Sequence, residues 1–143
     1  MGKTMFCMVY KDSPFFDEER ARSFFEANKT DLDDVNGFEA LLSNGMFWNV
    51  YNKGYVGSIF IYQSVDDNNY YLGGYAERKR HKECVEAVKR AADCLPVVYA
   101  DTRHLNAVIC LKKAGFEWYD RTRRILIRRR KNEFGKQGKI TDL

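Results

Sequence analysis

The stretch Ala107-Val-Ile-Cys-Leu-Lys-Lys-Ala-Gly-Phe116 carries the most specific pattern in this 143-residue chain. Its apolar residues recur at helical spacing, two lysines follow them, and Gly115 stands where helices commonly end. The next residues, Phe116-Glu-Trp-Tyr119, have the aromatic composition of a strand. The sequence therefore predicts a short amphipathic helix that passes through a glycine directly into a strand.

Outward from this stretch, apolar periodicity predicts the remaining elements. Strands are predicted at Met5–Tyr10, Met46–Tyr51, Tyr55–Tyr62, Tyr70–Tyr75, Val97–Ala100 and Ile125–Ile127. Helices are predicted from Asp17, from Gly37 to Ser43 and from about Glu77 to Cys94. The Asn52-Lys-Gly54 connection is typical of a hairpin, so three consecutive antiparallel strands are expected after the second helix. The order β-α-α-β-β-β-α-β-α-β-β predicts one α/β domain over residues 1–131, followed by a flexible polar tail over residues 132–143.

Composition agrees with one packed domain, because 45% of the residues are hydrophobic and 31% are charged. The net charge of +4 is divided unevenly along the chain. Residues 1–52 hold five Lys or Arg against nine Asp or Glu, and residues 53–143 hold nineteen against eleven. The basic second part could attract nucleic acid, an anionic cofactor or an acidic partner, and charge alone does not choose among them.

The four cysteines show neither a C-x-x-C pair nor a zinc-type grouping with histidine, so reduced thiols and no metal site are expected. No apolar run approaches the ~18 residues of a membrane span, and Lys11 and Asp12 interrupt the first apolar segment too early for a signal peptide. We therefore expect a cytoplasmic protein with no membrane partner.

The element order and the Ala107–Phe116 stretch resemble the GNAT family of acyl-CoA-dependent N-acyltransferases. The apolar positions of the preceding helix, among them Val85, Val88 and Ala92, match the family as well. The resemblance implies a mixed, mostly antiparallel sheet of six to seven strands flanked by about four helices. It also implies transfer of an acetyl group from acetyl-CoA to a primary amine of a small molecule or a protein, by direct attack in a ternary complex.

The family binds the pyrophosphate of its cofactor at a loop written Arg/Gln-x-x-Gly-x-Gly/Ala, and alignment places Ala76-Glu-Arg-Lys-Arg-His81 on this loop. Lys79 and His81 occupy the two glycine positions. Either the cations bind phosphate through their side chains, or the side chains obstruct the path and form only a solvated basic start to a helix. A Gly-Gly pair in the preceding strand marks a bulge or a close backbone approach, where the family admits the pantetheine arm. The cofactor residues implied are Leu72, Gly73, Gly74, Tyr75, Arg78, Lys79, Arg80, His81, Lys82 and Asn106.

The acid and base of the family are only partly matched. The family has Asn early in the last helix and Tyr near its end, whereas this chain has His104 and Leu111 there, with Asn106 two residues away. Replacement proton donors are Tyr99, Tyr119 and Cys110, and Tyr119 is the predicted acid. Asp101 is the predicted base, ahead of Glu77 and His81, although Asp101-Thr102 is also an ordinary helix N-cap sequence.

The stretch Arg121–Lys131 carries seven positive charges in eleven residues and has the pattern of a basic edge strand. It could bind nucleic acid or another polyanion with Trp118 and Tyr119 stacking on bases, or its charges could only prevent strand-to-strand aggregation. The run Gly74–Lys82 also resembles small GNAT-like proteins of tailed bacteriophages. An inactive structural or host-interaction protein of that kind is therefore the alternative to an enzyme.

Overall fold

The computed structural model describes residues 6–28 and 37–130. Its elements follow the predicted order: β1 (Cys7–Tyr10), α1 (Glu18–Asn28), α2 (Phe38–Asn44), β2 (Met46–Tyr51), β3 (Tyr55–Gln63), β4 (Tyr70–Ala76), α3 (His81–Ala92), β5 (Val97–Asp101), α4 (Leu105–Lys113), β6 (Glu117–Asp120) and β7 (Ile125–Arg129). The predicted tail at residues 132–143 lies outside the described residues.

The strands form one seven-stranded sheet in the order β1-β2-β3-β4-β5-β7-β6. All neighbouring pairs are antiparallel except β4 and β5, which run parallel. The predicted hairpin is confirmed: Lys53 and Gly54 turn the chain with φ angles of 58° and 122°. The single-domain α/β fold with four helices in the described residues and a mostly antiparallel sheet is also confirmed.

Helices cover both faces of the sheet, which explains why β3 is apolar on both sides. Phe60 points to one face and joins an aromatic core with Phe25, Phe38 and Phe47, beneath α1 and α2. The neighbouring Ile59 and Ile61 join the second core, which packs beneath α3 and α4. The alternating apolar residues of one strand therefore serve two separate cores.

Two sequence-based expectations are corrected. The third helix begins at His81 instead of Glu77, because the Glu77 amide donates to the Val56 carbonyl and Lys79 adopts a left-handed φ of 65°. The basic strand β7 is not an edge strand, because it lies between β5 and β6. Its first three residues, Ile125, Leu126 and Ile127, are buried on both faces, as an interior strand requires.

Arg128 on β7 connects the C-terminal ends of both core helices. Its side chain is only 14% exposed, and Nη1 lies 2.8 Å from Asp93 Oδ1 just after α3, as an ion-pair contact and not an aligned hydrogen bond. Its Nε donates to the Ala114 carbonyl at the end of α4, at 2.9 Å. The guanidinium therefore supplies positive charge where two helix C-termini concentrate negative charge.

Replacement of Arg128 by Met should lower the free energy of unfolding by about 2 kcal/mol, because a hydrogen bond to a charged donor and a helix-end ion pair are lost together. Urea denaturation followed by circular dichroism measures this loss. The neighbouring Arg129, 63% exposed and 3.9 Å from Glu117, is the matched control, and Arg129→Met should cost less than about 0.5 kcal/mol. Equal losses in the two variants would contradict the role of Arg128.

Candidate active site

The parallel strands β4 and β5 separate soon after they meet. Seven residues of β4 pair with β3, but Tyr71 opposite Tyr99 is the one register pair between β4 and β5 in the described chain. From Leu72 onward the second edge of β4 therefore has no sheet partner among the described residues. Backbone N–H and C=O groups at such an opened edge are available to a ligand.

The predicted close approach at the glycine pair is confirmed, and its cause is the neighbouring strand. A Cβ at Gly73 would lie 2.7 Å from the Phe60 ring, and a Cβ at Gly74 would lie 2.7 Å from the Ser58 carbonyl oxygen. The register between β3 and β4 runs without a shift here, so the alternative of a bulge does not apply. Because both glycines lack a side chain, β4 packs closely against β3 at the residues where β4 separates from β5.

A cavity of about 670 Å³ fills the opening between β4 and β5 and extends between α3 and α4. Its volume lies within the range usual for small-molecule sites. Nine of the ten predicted cofactor residues line this cavity, and Lys82 does not; the nine are Leu72, Gly73, Gly74, Tyr75, Arg78, Lys79, Arg80, His81 and Asn106. The predicted base Asp101 also lines it.

The loop before α3 and the first turn of this helix form the basic end of the cavity. Arg80 occupies the N-cap position of α3, and its side chain makes no hydrogen bond to the first amides of the helix. The side chains of Arg78, Lys79, His81 and Lys82 are exposed. Uncapped amides, the positive helix end and these cations together favour an anion.

Arg80 differs from the other cations of this loop. Its Nη1 lies 3.2 Å from Glu83 Oε2, and its Nη2 donates to the Asn52 carbonyl at 3.4 Å. Asn52 in turn donates its side-chain amide to Glu83 at 2.9 Å. These contacts link the β2–β3 hairpin to α3. Arg80 therefore contributes to an anion site by holding the loop in place.

Lys79 stands at the first glycine position of the loop pattern and adopts a left-handed backbone with a φ of 65°. We expect Lys79→Gly to raise the free energy of unfolding by up to about 1 kcal/mol, because relief of ~1–2 kcal/mol of backbone strain outweighs the added entropy of the unfolded chain. Lys82→Gly is the matched control, since the same change within α3 should cost about 1 kcal/mol. Thermal unfolding of both variants measures the two changes in stability. A loss of stability in Lys79→Gly would contradict the claim that the Lys79 backbone is strained.

Asp101 ends β5 with its side chain exposed at the cavity. It is not the N-cap of α4, because His104 occupies that position and Thr102 Oγ1 accepts the His104 amide at 3.1 Å. The capping role offered by the sequence is therefore wrong for Asp101. Asn106, in the first turn of α4, lines the same wall.

Two thiols line the interior of the cavity. Burial raises the pKa of Cys84 to about 11 and that of Cys110 to about 12, so both remain neutral near pH 7. Cys110 is therefore a weaker acid than an ordinary thiol, whose pKa is about 8.5. It is unsuited to protonate a leaving thiolate, and the adjacent Leu111 has no proton to give.

The structure does not bring Tyr119 to the cavity. The Tyr119 side chain is 57% exposed on β6 and packs against Tyr99 with ring centres 5.2 Å apart, and neither ring is among the cavity residues. Tyr75 does line the cavity, but its hydroxyl donates to the Ala21 carbonyl at 3.1 Å and burial raises its pKa. A catalytic role for Tyr119 stays a prediction without support from proximity.

The cations of Arg121–Arg130 do not form one surface. Arg128 is the buried side chain described above, and Arg130 donates to the Asp93 carbonyl at 3.1 Å. Arg121 and Arg124 lie beside Trp118. Lys131, the last residue of the predicted basic stretch, lies outside the described residues.

Sequence reasoning did not place Asn28 or Tyr62 at the site. Both line the cavity, Asn28 as the last residue of α1 and Tyr62 near the end of β3. Neither residue lies in a motif, and only the packing of α1 over β4 could have indicated this position. In the residues that the structure covers, no cluster of three His, Cys, Asp or Glu could hold a metal, and no helix is long and apolar enough to cross a membrane.

No protein-family model and no curated protein matches the sequence. Among solved structures, an acetyltransferase from Agrobacterium tumefaciens is similar over 91% of this chain and 93% of its own, with 12% identity and a TM-score of 0.56. A KacTA–DNA complex is similar over 97% of this chain and 100% of its own, with 11% identity and a TM-score of 0.48.

A third similar structure is that of an AtaT mutant toxin bound to the C-terminus of the antitoxin AtaR and acetyl-CoA. It covers 88% of this chain and 92% of its own, with 10% identity and a TM-score of 0.42.

The bacteriophage resemblance stays a prediction. At 12% identity the likeness to the Agrobacterium enzyme concerns the fold, and on that ground this chain is a single domain of GNAT-like architecture.

Proposed function

We propose that this protein transfers an acyl group, most simply acetyl, from coenzyme A to a primary amine. One observation carries the proposal: the unpaired edge of β4 opens into a cavity that runs to the uncapped, cation-rich N-terminus of α3. Where such an edge and such a helix end share one cavity, the edge can bind an extended polar arm while the helix end binds an anionic group.

The residues at the helix end fit a pyrophosphate group. The first amides of α3 would donate hydrogen bonds to its oxygens, and Arg78, Lys79 and Lys82 would add positive charge. The side chains of Lys79 and His81 are exposed, so they leave the cavity open although they replace glycines. This supports binding through side-chain charge over obstruction of the path.

The opened strand fits a pantetheine arm. Backbone groups of Gly73, Gly74 and Tyr75 would pair with its amides as a further strand would, while Val88 and Leu111 offer apolar walls. When bound, the thioester supplies an activated carbonyl. Asn106 lies on the opposite wall, where its side-chain amide would orient the arm.

Asp101 would act as the base of the reaction. Its carboxylate accepts the proton that the amine nitrogen loses as a carbon–nitrogen bond forms and the carbon–sulfur bond breaks. Water at the open mouth of the cavity returns a proton to the departing thiolate, because neither Cys110 nor Leu111 is suited to do so. No covalent enzyme intermediate is required.

Calorimetric titration with acetyl-CoA tests the binding half of this proposal. We expect a dissociation constant in the micromolar range and a loss of about tenfold or more in the double variant Arg78→Gln, Lys79→Gln, since two charge-assisted contacts are removed. Lys89→Gln, on the last turn of the same helix, is the matched control and should bind as the unchanged protein does. Absence of binding, or equal losses in control and double variant, would contradict the proposal.

A further inference from the structure

The side of α4 that points away from the cavity is unusually apolar for an exposed surface. Leu105 is 70% exposed and Ile109 is 39% exposed. Together with Lys112 they lie at i, i+4 and i+7, so they form one stripe along the helix. Cys110 and Leu111 face the cavity from the other side, and the stripe of Leu105, Ile109 and Lys112 is here called the α4 outer face.

Trp118 on β6 lies beside this stripe, among three cations. The ring centre is 5.8 Å from Lys112 Nζ, 5.3 Å from Arg121 Cζ and 5.6 Å from Arg124 Cζ. Arg124 also donates from Nε to the Thr102 carbonyl at 3.0 Å, just before α4 begins. Lys112 and Arg124 therefore connect the indole to both ends of the α4 outer face.

These three cations are not balanced by acids. Within residues 6–28 and 37–130, none of Lys112, Arg121 and Arg124 has an acidic ion-pair partner. Other surface arginines of this protein have acidic ion-pair partners, for example Arg22 with Glu18 and Arg90 with Glu86. Like charges held around one ring repel each other, and a carboxylate placed among them would reduce that repulsion.

We propose that the α4 outer face and Trp118, with Arg121 and Arg124, form a docking surface for an acidic segment of a partner protein that carries aliphatic anchors. Leu105 and Ile109 would be covered by the anchors, which removes exposed apolar surface from water. The three cations would pair with carboxylates at the rim, which favours rapid and specific association. The surface does not depend on the proposed reaction, because it lies on the opposite side of α4 from the cavity.

The same observations disfavour nucleic acid as the occupant. Three cations already lie within 6 Å of the Trp118 ring centre, so they compete with a base for its faces. Phosphates and sugars would also leave Leu105 and Ile109 without an apolar partner. A partner that offers both carboxylates and aliphatic side chains satisfies every group on the surface.

A designed probe peptide tests this inference with the full chain. The probe is an 18-residue amidated helix with Leu at every third or fourth position and Glu between them, labelled for fluorescence anisotropy. A second peptide of equal charge has Gln in place of each Leu, and a single-stranded 16-nucleotide DNA is the third probe. We expect the Leu/Glu peptide to bind at least tenfold more tightly than the Gln/Glu peptide and to change the Trp118 emission.

The protein variants locate the binding. Leu105→Ser and Arg121→Gln should each weaken binding of the Leu/Glu peptide at least fivefold, and both positions are exposed enough for the variants to fold. Val65→Ser, at an 85% exposed residue of the β3–β4 loop, is the matched control and should change nothing. The inference is overturned if the Leu/Glu peptide does not bind, if both peptides bind alike, if the variants bind as the control does, or if DNA displaces the peptide.

Discussion

Asp101→Asn is expected to lower kcat by roughly 10²- to 10⁴-fold, the range typical of a lost general base. The amide has the size of the carboxylate but does not accept the proton that the amine releases. Binding of acetyl-CoA should change less than about threefold, because Asp101 ends β5 and the cations at α3 are untouched. Thiol release from acetyl-CoA measures the rate, with the best acceptor from a panel of peptide amino termini, lysine side chains and polyamines.

Two control variants make this result specific. Glu117→Gln removes an exposed carboxylate on β6, which is not a cavity residue, and should keep full activity. Tyr119→Phe should also stay within about twofold, because the ring packs on Tyr99 and does not line the cavity. Full activity in Asp101→Asn would show that Asp101 is not the base. A large loss of activity in Tyr119→Phe would support Tyr119 as the acid.

Gly57→Ala should produce the largest loss of stability, about 3 kcal/mol or more. A Cβ at this position would lie 2.2 Å from the Tyr75 carbonyl oxygen and 2.6 Å from Ala76 Cα, which are backbone atoms of the paired strand. Since backbone atoms cannot rotate away, β3 and β4 would have to separate. Urea denaturation monitored by circular dichroism measures the change.

Gly73→Ala is the matched comparison for this prediction. Its added methyl would meet the Phe60 ring at 2.7 Å, and a side chain can shift where a strand cannot. We therefore expect a loss of about 1 kcal/mol, at the low end of the range for an overpacked core. The reverse order of the two losses would contradict the tight pairing of β3 with β4.

Local patterns were sufficient to predict much of the fold. The Asn52-Lys-Gly54 turn, the apolar spacing along α3 and the helix-ending Gly115 each depend on residues near one another in the sequence. The Gly73-Gly74 pair likewise indicated a close approach, and at Gly74 a Cβ would lie 2.7 Å from the Ser58 carbonyl oxygen. These signals were enough to order the elements and to locate one wall of the cavity.

Long-range contacts explain what the sequence did not predict. Nothing in Arg121–Lys131 indicates that β6 pairs outside β7, so this stretch was interpreted as an edge. The sequence places Arg80 in a cluster of cations, whereas its contact with Asn52, on a hairpin 28 residues earlier, gives it a structural role. Tyr119 lies on β6, which β7 separates from β5, and its ring packs on Tyr99 and does not line the cavity.

Amide hydrogen exchange of the full chain, with and without acetyl-CoA, tests the central claim most directly. The claim is that the unpaired edge of β4 and the first turn of α3 hold one ligand between them. We predict slower exchange on binding at amides within Leu72–Ala76 and His81–Glu83, and little change in β6 and β7. Protection confined to β6 and β7, or no protection anywhere at saturating acetyl-CoA, would contradict it.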